Sequence, residues 1–183
     1  MDGMKPLSRI ITLGLVLFCL GGVTDVFLSE ANAETPPARV LRPVFSKIRQ
    51  AAHVPILLPS RLPASVNEKK IHYTTGDTTP QGYEISLYYR EGCGDACSAG
   101  YFEAKRGDSV SRNEVDRVVQ LAREIKGYYT ARSCGGSCTP PQINWTYKGV
   151  LYTIQFNVNN KSKRADQAEI IALANSAILG GER

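Results

Sequence analysis

The sequence has few of the residues and motifs that usually identify an enzyme. It contains only two histidines, His53 and His72, and no G-x-S-x-G element that would present a serine nucleophile. No Gly-rich phosphate-binding motif is present. The central acidic residues lack the spacing of a calcium loop or of a glycosidase carboxylate pair: Glu84, Glu91, Asp95 and Glu103. We therefore predict no catalytic residues, no cofactor and no metal ligands.

Long apolar runs are also missing, except near the N-terminus. Lys5 and Arg9 precede the uncharged segment 10–20, and residues 31–33 form an A-x-A cleavage signal. These features predict a signal peptide over residues 1–33 and an exported protein, periplasmic or extracellular. An uncleaved anchor is disfavoured because Asp25 would cost about 3 kcal/mol in a bilayer. We expect no membrane span after cleavage.

The chain has an excess of positive charge, but its lysines and arginines are not clustered in the sequence. The chain has 22 Lys and Arg residues against 17 Asp and Glu, a formal charge of +5. Loss of residues 1–33 removes two cations and three acids, which raises the charge to +6. The cations are scattered, which is typical of a solvated surface, and without a dense basic stripe we expect no nucleic-acid partner.

The mature chain, about 150 residues, is long enough for one domain with a single core. We predict a Pro-rich loose leader over 34–42 and one disulfide-containing α+β domain over 43–183. A short helix is expected at 44–52. Three prolines exclude a helix at 53–63, which we interpret as an extended edge segment that packs Ile56 and Leu58 on the core.

Alternating apolar residues predict most of the strands. Strands are expected at 71–75, before a polar loop at 76–81, and at 83–90 and 100–106, which form a hairpin. A second hairpin turns at Lys148-Gly149. Its predicted register pairs Tyr147 with Val150, Trp145 with Tyr152 and Ile143 with Ile154, all on one face.

The segment 109–127 has two interpretations. Ser111 and Glu114 form a capping box, and apolar residues follow at helical spacing, which locally predicts an amphipathic helix. The alternative is a strand over 117–121 that turns through 122–126 into a strand over 127–132. The chain then ends in an apolar helix at 163–179, stopped by Gly180-Gly181. The predicted fold is α+β, a mostly antiparallel sheet of about six strands with this helix packed on one face.

Four cysteines in the mature chain form two C-x3-C loops, Cys93–Cys97 and Cys134–Cys138. In an exported protein such cysteines indicate structural disulfides. Pairing within each loop requires tight turns, which the loop glycines permit, whereas crossed pairing would join the two hairpin tips. Local pairing is favoured. Two more specific alternatives are a four-cysteine zinc site and a thiol–disulfide enzyme. The usual redox motif, however, is C-x-x-C at a helix N-terminus, whereas both loops here are predicted at hairpin tips.

The strings VPILLPSRLP at 54–63, CGDAC at 93–97 and SCGGSCTPPQINWTYKGVLYTIQF at 133–156 resemble small exported cyanobacterial-type proteins of unknown function. The resemblance covers most of the mature chain, implies no activity or catalytic residue, and favours a strand over 117–121.

Most of the tyrosines and Trp145 fall on the predicted inward faces. Tyr88 and Arg90 lie on the opposite face and are the candidate binding residues. We therefore expect a non-enzymatic binding or interaction module whose partner is an envelope protein or a glycan. The alternative is a cell-envelope thiol–disulfide enzyme.

Overall fold

The computed structural model describes residues 35–92, 94–158 and 162–183, all in one compact unit. The predicted signal peptide and Cys93 lie outside the described residues. The fold is α+β, as predicted: a seven-stranded antiparallel sheet with a C-terminal helix packed against it. The α-helices of these residues are α1, Arg42–Ala51, and α2, Lys163–Gly180. Neither is both long and apolar enough to cross a lipid bilayer.

The large sheet has the strand order β1-β2-β3-β9-β8-β5-β4. A separate two-stranded hairpin, β6–β7, is inserted between β5 and β8. The strands are β1 Tyr73–Thr79, β2 Gly82–Tyr88, β3 Ser98–Arg106, β4 Arg117–Gln120, β5 Lys126–Thr130, β6 Ser133–Cys134, β7 Cys138–Thr139, β8 Gln142–Tyr147 and β9 Val150–Phe156.

One face of the sheet forms the core. Alternate residues of β2, β3, β8 and β9 are buried there, and α1, α2 and the extended segment 53–63 pack over them. The Tyr152 hydroxyl donates to the carbonyl oxygen of Pro55 at 2.7 Å, which fixes the extended segment to the sheet. Gly76 allows α1 to approach β1 closely, because a Cβ there would lie 2.9 Å from the Cβ of Val44.

The β8–β9 hairpin has the predicted register. Tyr147 pairs with Val150, Trp145 with Tyr152 and Ile143 with Ile154. Its two turn residues have positive φ, 50° at Lys148 and 71° at Gly149, as a two-residue turn that matches the twist of the strands requires. The rings of Trp145 and Tyr152 stack with centroids 5.3 Å apart.

The helix predicted locally for 109–127 is wrong, and the alternative with a strand is correct. Residues 117–120 form β4, which pairs with β5, and β5 pairs with β8. Arg123 and Glu124 both adopt left-handed φ, 54° and 58°, so the chain reverses where a helix would continue. Pairing across the sheet therefore overrides the local periodicity. The predicted capping box does not form: Ser111 precedes only a 3-10 turn at Arg112–Glu114, and its side chain makes no capping hydrogen bond.

Three smaller predictions also need correction. The loop expected at 76–81 is largely strand, because β1 continues to Thr79 in register with β2. The leader is not loose from Ala38 onward: Ala38 and Leu41 are buried, and the Ala38 N–H donates to the Pro59 carbonyl oxygen. The segment 53–63 buries Ile56 and Leu58 as expected but lies over the core rather than at a sheet edge.

The C-terminal helix begins and ends as the sequence predicts. The Ser162 Oγ accepts a hydrogen bond from the N–H of Ala165 at 3.2 Å, which caps the helix. Gly181, with φ of 75°, follows its last turn. The buried side of α2 is apolar except for one carboxylate, Asp166.

Candidate functional site

The second cysteine loop forms a local disulfide. Cys134 and Cys138 face each other across β6–β7 with their Cα atoms 4.1 Å apart, and a bond joins their sulfurs. Local pairing is therefore confirmed for this loop, and a bond between the two loops is excluded. Cys97 is also disulfide-bonded, whereas Cys93 lies outside the described residues. Zinc is bound by cysteine thiolates, and a sulfur in a disulfide is not a thiolate. The four-cysteine zinc site therefore does not exist in the oxidised protein.

The sheet face opposite the core borders a hollow of about 550 Å³. We call it the polar cleft. The β6–β7 hairpin and the residues just after it form one wall, and strands β2, β3 and β9 form the floor. The cleft is lined by Glu84, Ser86, Tyr88, Ser98, Gly100, Tyr101, Glu103, Cys138, Thr139, Pro140, Gln155 and Asn157.

Strand register brings the floor residues together. Ser86 lies opposite Tyr101, which in turn lies opposite Gln155 on β9. Glu84 lies directly opposite Glu103. Side chains at directly opposite positions of an antiparallel pair have Cβ atoms about 4.5–5.5 Å apart. The two carboxylates are therefore neighbours on the floor.

A row of amide and hydroxyl groups connects the cleft to the centre of the sheet. The Tyr101 hydroxyl and the Gln155 Nε2 both donate to the Gln142 Oε1, at 3.4 and 3.2 Å. The Gln142 Nε2 and the Thr153 hydroxyl both donate to the Asn144 Oδ1, at 3.2 and 2.9 Å. These bonds orient the side chains before any ligand arrives, which lowers the ordering cost of binding.

The surroundings of Glu103 disfavour its charged form. Burial raises the pKa of Glu103, and the negative charge of Glu84 raises it further, while Lys105 lowers it. The pKa of Tyr101 is raised by burial and by the same two acids. The Ser86 hydroxyl donates to the Glu84 Oε1 at 3.0 Å and partly stabilises that carboxylate.

An ion pair fixes the start of the β6–β7 hairpin to the helix. Arg132 immediately precedes β6, and its Nη2 lies 2.7 Å from the Oδ2 of Asp166 in the first turn of α2. Asp166 is fully buried, and 26% of the Arg132 side chain is exposed. Among the described residues, three buried side-chain atoms have no hydrogen-bond partner: the Tyr129 hydroxyl, the Trp145 Nε1 and the Asp166 Oδ1.

The two predicted binding residues separate in the structure. Tyr88 lines the polar cleft, and its ring lies 6.2 Å from that of Tyr73 on the edge strand. Arg90 lies beyond β2, with its Nη2 3.6 Å from the Cys97 Sγ, and is not part of the cleft lining.

Sequence reasoning identified the face but missed the paired acids and Tyr101. Glu84 and Tyr88 alternate with the core residues of the same strand, so the sequence shows their face. The missing step was the β2–β3 register, which depends on how the first cysteine loop closes the hairpin.

The cleft presents many hydrogen-bond acceptors, namely carboxylate, amide and hydroxyl oxygens. No group of three or more His, Cys, Asp or Glu side chains within the described ranges is placed to hold a metal ion.

A comparison with protein-family models gives no match to this chain, and searches of curated proteins and of solved structures give no significant match.

Proposed function

We propose that this protein is an exported, non-enzymatic binding module that works in the periplasm or outside the cell. Its contact surface is the polar cleft, and its partner is an envelope protein or a glycan. The observation that carries the proposal is a ligand-sized hollow on the sheet face opposite the core, lined by tyrosine and by oriented polar groups. Its volume lies within the range of ligand sites, although its lining is more polar than is usual for them.

The cysteine chemistry fits a supporting role. The Cys134–Cys138 disulfide closes the hairpin whose residues line the cleft, and β5 and β8, which flank this hairpin, pair with each other in the sheet. A covalently closed wall keeps the cleft in shape at little entropic cost on binding. The resemblance to small exported proteins and the A-x-A signal support the proposed compartment.

Pull-down from periplasmic extract tests the proposal. The mature protein is immobilised with its disulfides intact, beside the variants Tyr88→Ala and Tyr128→Ala. Tyr128 is a matched control because it is on β5, outside the lining of the cleft. We expect the wild type and Tyr128→Ala to retain the same protein or glycan and Tyr88→Ala to lose it. Equal recovery by all three, or recovery of nothing at micromolar protein, contradicts the proposal.

One observation favours the thiol–disulfide alternative. The positive guanidinium of Arg90 lies beside the Cys97 sulfur, and such a neighbour lowers the pKa of a thiol once the disulfide is reduced. Against this, Cys97 is only 8% exposed, which limits the access of a substrate disulfide. Titration with glutathione separates the alternatives: a structural disulfide has a reduction potential below about −300 mV and stays oxidised in glutathione, whereas a catalytic one is readily reduced.

A further inference from the structure

The charge of the polar cleft is opposite to that of the whole protein. The chain has an excess of cations, yet the described lining of the cleft contains two glutamates and no Lys, Arg or His. The nearest cation on β3, Lys105, is bonded to Asp108 at 2.9 Å. The floor therefore presents two carboxylates with no lysine or arginine in the cleft lining, and only Lys105, outside the lining, lowers the pKa of Glu103.

Such a floor is best stabilised by a cation from outside. Two carboxylates directly across a strand pair repel each other, and partial burial of Glu103 increases the cost. A cation between them relieves the repulsion and gains charge-assisted hydrogen bonds to both. The Ser86 and Gln155 side chains beside them offer further oxygen acceptors to an N–H donor.

The aromatic residues fit the same kind of ligand. Tyr88 and Tyr101 line the cleft, and Tyr73 extends the aromatic group to the sheet edge, where 38% of it is exposed. Aromatic rings attract organic cations while also packing the apolar stem that carries the charge. A side chain with a methylene stem and a charged end uses both properties.

The open space beside Glu84 and Glu103 is larger than one ligand side chain would fill. A second hollow, of about 470 Å³, lies towards the β1–β2 turn and shares Glu84 and Glu103 with the polar cleft; Asp77, Lys105 and Arg106 also line it. The acidic pair thus stands between two adjoining hollows. A free diamine would use only the pair, whereas an extended peptide has backbone to occupy the space on both sides.

We propose that the polar cleft binds an extended peptide segment through a primary ammonium side chain, held between Glu84 and Glu103 and packed beside Tyr88. This rests on the proposed function, and it specifies the partner as a peptide with a lysine-type side chain. The ammonium group supplies three N–H donors for the carboxylate and hydroxyl acceptors of the floor.

Calorimetric titration of the mature, oxidised protein tests this inference. The probes are acetyl-Gly-Lys-Gly-amide, the same peptide with an acetylated lysine, spermidine and chitotetraose. The variants are Glu84→Gln with Glu103→Gln, and the control Glu124→Gln. Glu124 is exposed in the β4–β5 turn and is not in the cleft lining. Gln keeps the oxygen that accepts from Ser86, so the double variant should fold, and a thermal melt verifies this.

We expect the lysine peptide to bind, acetylation to abolish binding, and the double variant to bind at least about tenfold more weakly, as loss of charge-assisted bonds implies. Glu124→Gln should bind as the wild type does. Equal binding of both peptides, or no effect of the double variant, overturns the inference. Spermidine binding as tightly as the peptide overturns the peptide assignment. Chitotetraose binding alone overturns the inference and leaves the proposed binding function intact, whereas the Tyr88→Ala pull-down tests that function separately.

Discussion

Breaking the Arg132–Asp166 ion pair should reduce stability by an amount that depends on which partner is removed. Asp166 is fully buried, whereas a quarter of the Arg132 side chain reaches solvent. Removal of one member of a buried ion pair costs about 3–5 kcal/mol, because the other charge loses its closest counter-charge. The remaining charge decides where in this range each variant falls.

The expected loss of unfolding free energy in each variant follows from how deeply the remaining side chain is buried. Asp166→Ala leaves an arginine that can still be hydrated in part, so we expect a loss near the lower limit, about 3 kcal/mol. Arg132→Ala leaves a carboxylate with no solvent contact, so we expect a loss near the upper limit, about 5 kcal/mol. For a chain of this size, about 3 kcal/mol corresponds to a fall in Tm of roughly 6–12 °C.

Urea denaturation followed by circular dichroism measures both values. The control is the double variant Arg132→Met with Asp166→Leu, which replaces the pair by apolar groups of similar size and should lie close to the wild type. If both single variants lose less than about 1 kcal/mol, the pair behaves as a solvent-screened surface pair and the reasoning from burial is wrong. A larger loss for Asp166→Ala than for Arg132→Ala would equally refute it.

Three further predictions concern single groups of the fold and the cleft. Tyr152→Phe removes the hydroxyl that donates to Pro55 and should cost about 1 kcal/mol in urea denaturation, more if the carbonyl finds no water; no change would show that the extended segment does not depend on this bond. Gly149→Ala places a Cβ at φ of 71° and should cost about 1 kcal/mol by thermal melt, whereas Gly135→Ala, at a position without positive φ, should cost less. Because the pKa of Glu103 is raised in the folded state from its usual 4.5, the folded protein binds the proton more tightly, so wild-type stability should fall as pH rises from 4.5 through the raised pKa. Glu103→Gln should lack this fall in a pH series of melts, and parallel curves for the two proteins would contradict the burial argument.

Local sequence patterns predicted the elements whose partners are close in the chain. The β8–β9 hairpin is the clearest case, because its two strands are joined by two residues and the alternation of apolar side chains fixes the register. The C-terminal helix is similar, since its cap and its apolar side are local features. The segment 109–127 was ambiguous for the opposite reason. Its pattern fits a helix, and only pairing of β4 with β5 and of β5 with β8 makes it a strand.

The candidate site could be predicted only in part. Alternation along β2 placed Tyr88 and Glu84 on the face away from the core. The cleft, however, requires β3 to pair with β9, which joins segments about fifty residues apart, and requires the β6–β7 hairpin to stand beside them. Contacts between segments so distant in sequence carry no local periodicity. The juxtaposition of Glu84 with Glu103 became visible only with the β2–β3 register.

Photo-crosslinking in the living cell tests most directly the claim that the polar cleft is the contact surface. Benzoylphenylalanine replaces Tyr88 in one variant and Tyr128 in another, and cells that export each protein are irradiated. If the polar cleft is the contact surface, a partner is crosslinked at position 88 and none at position 128. A partner captured equally at both positions, or at 128 alone, would contradict it.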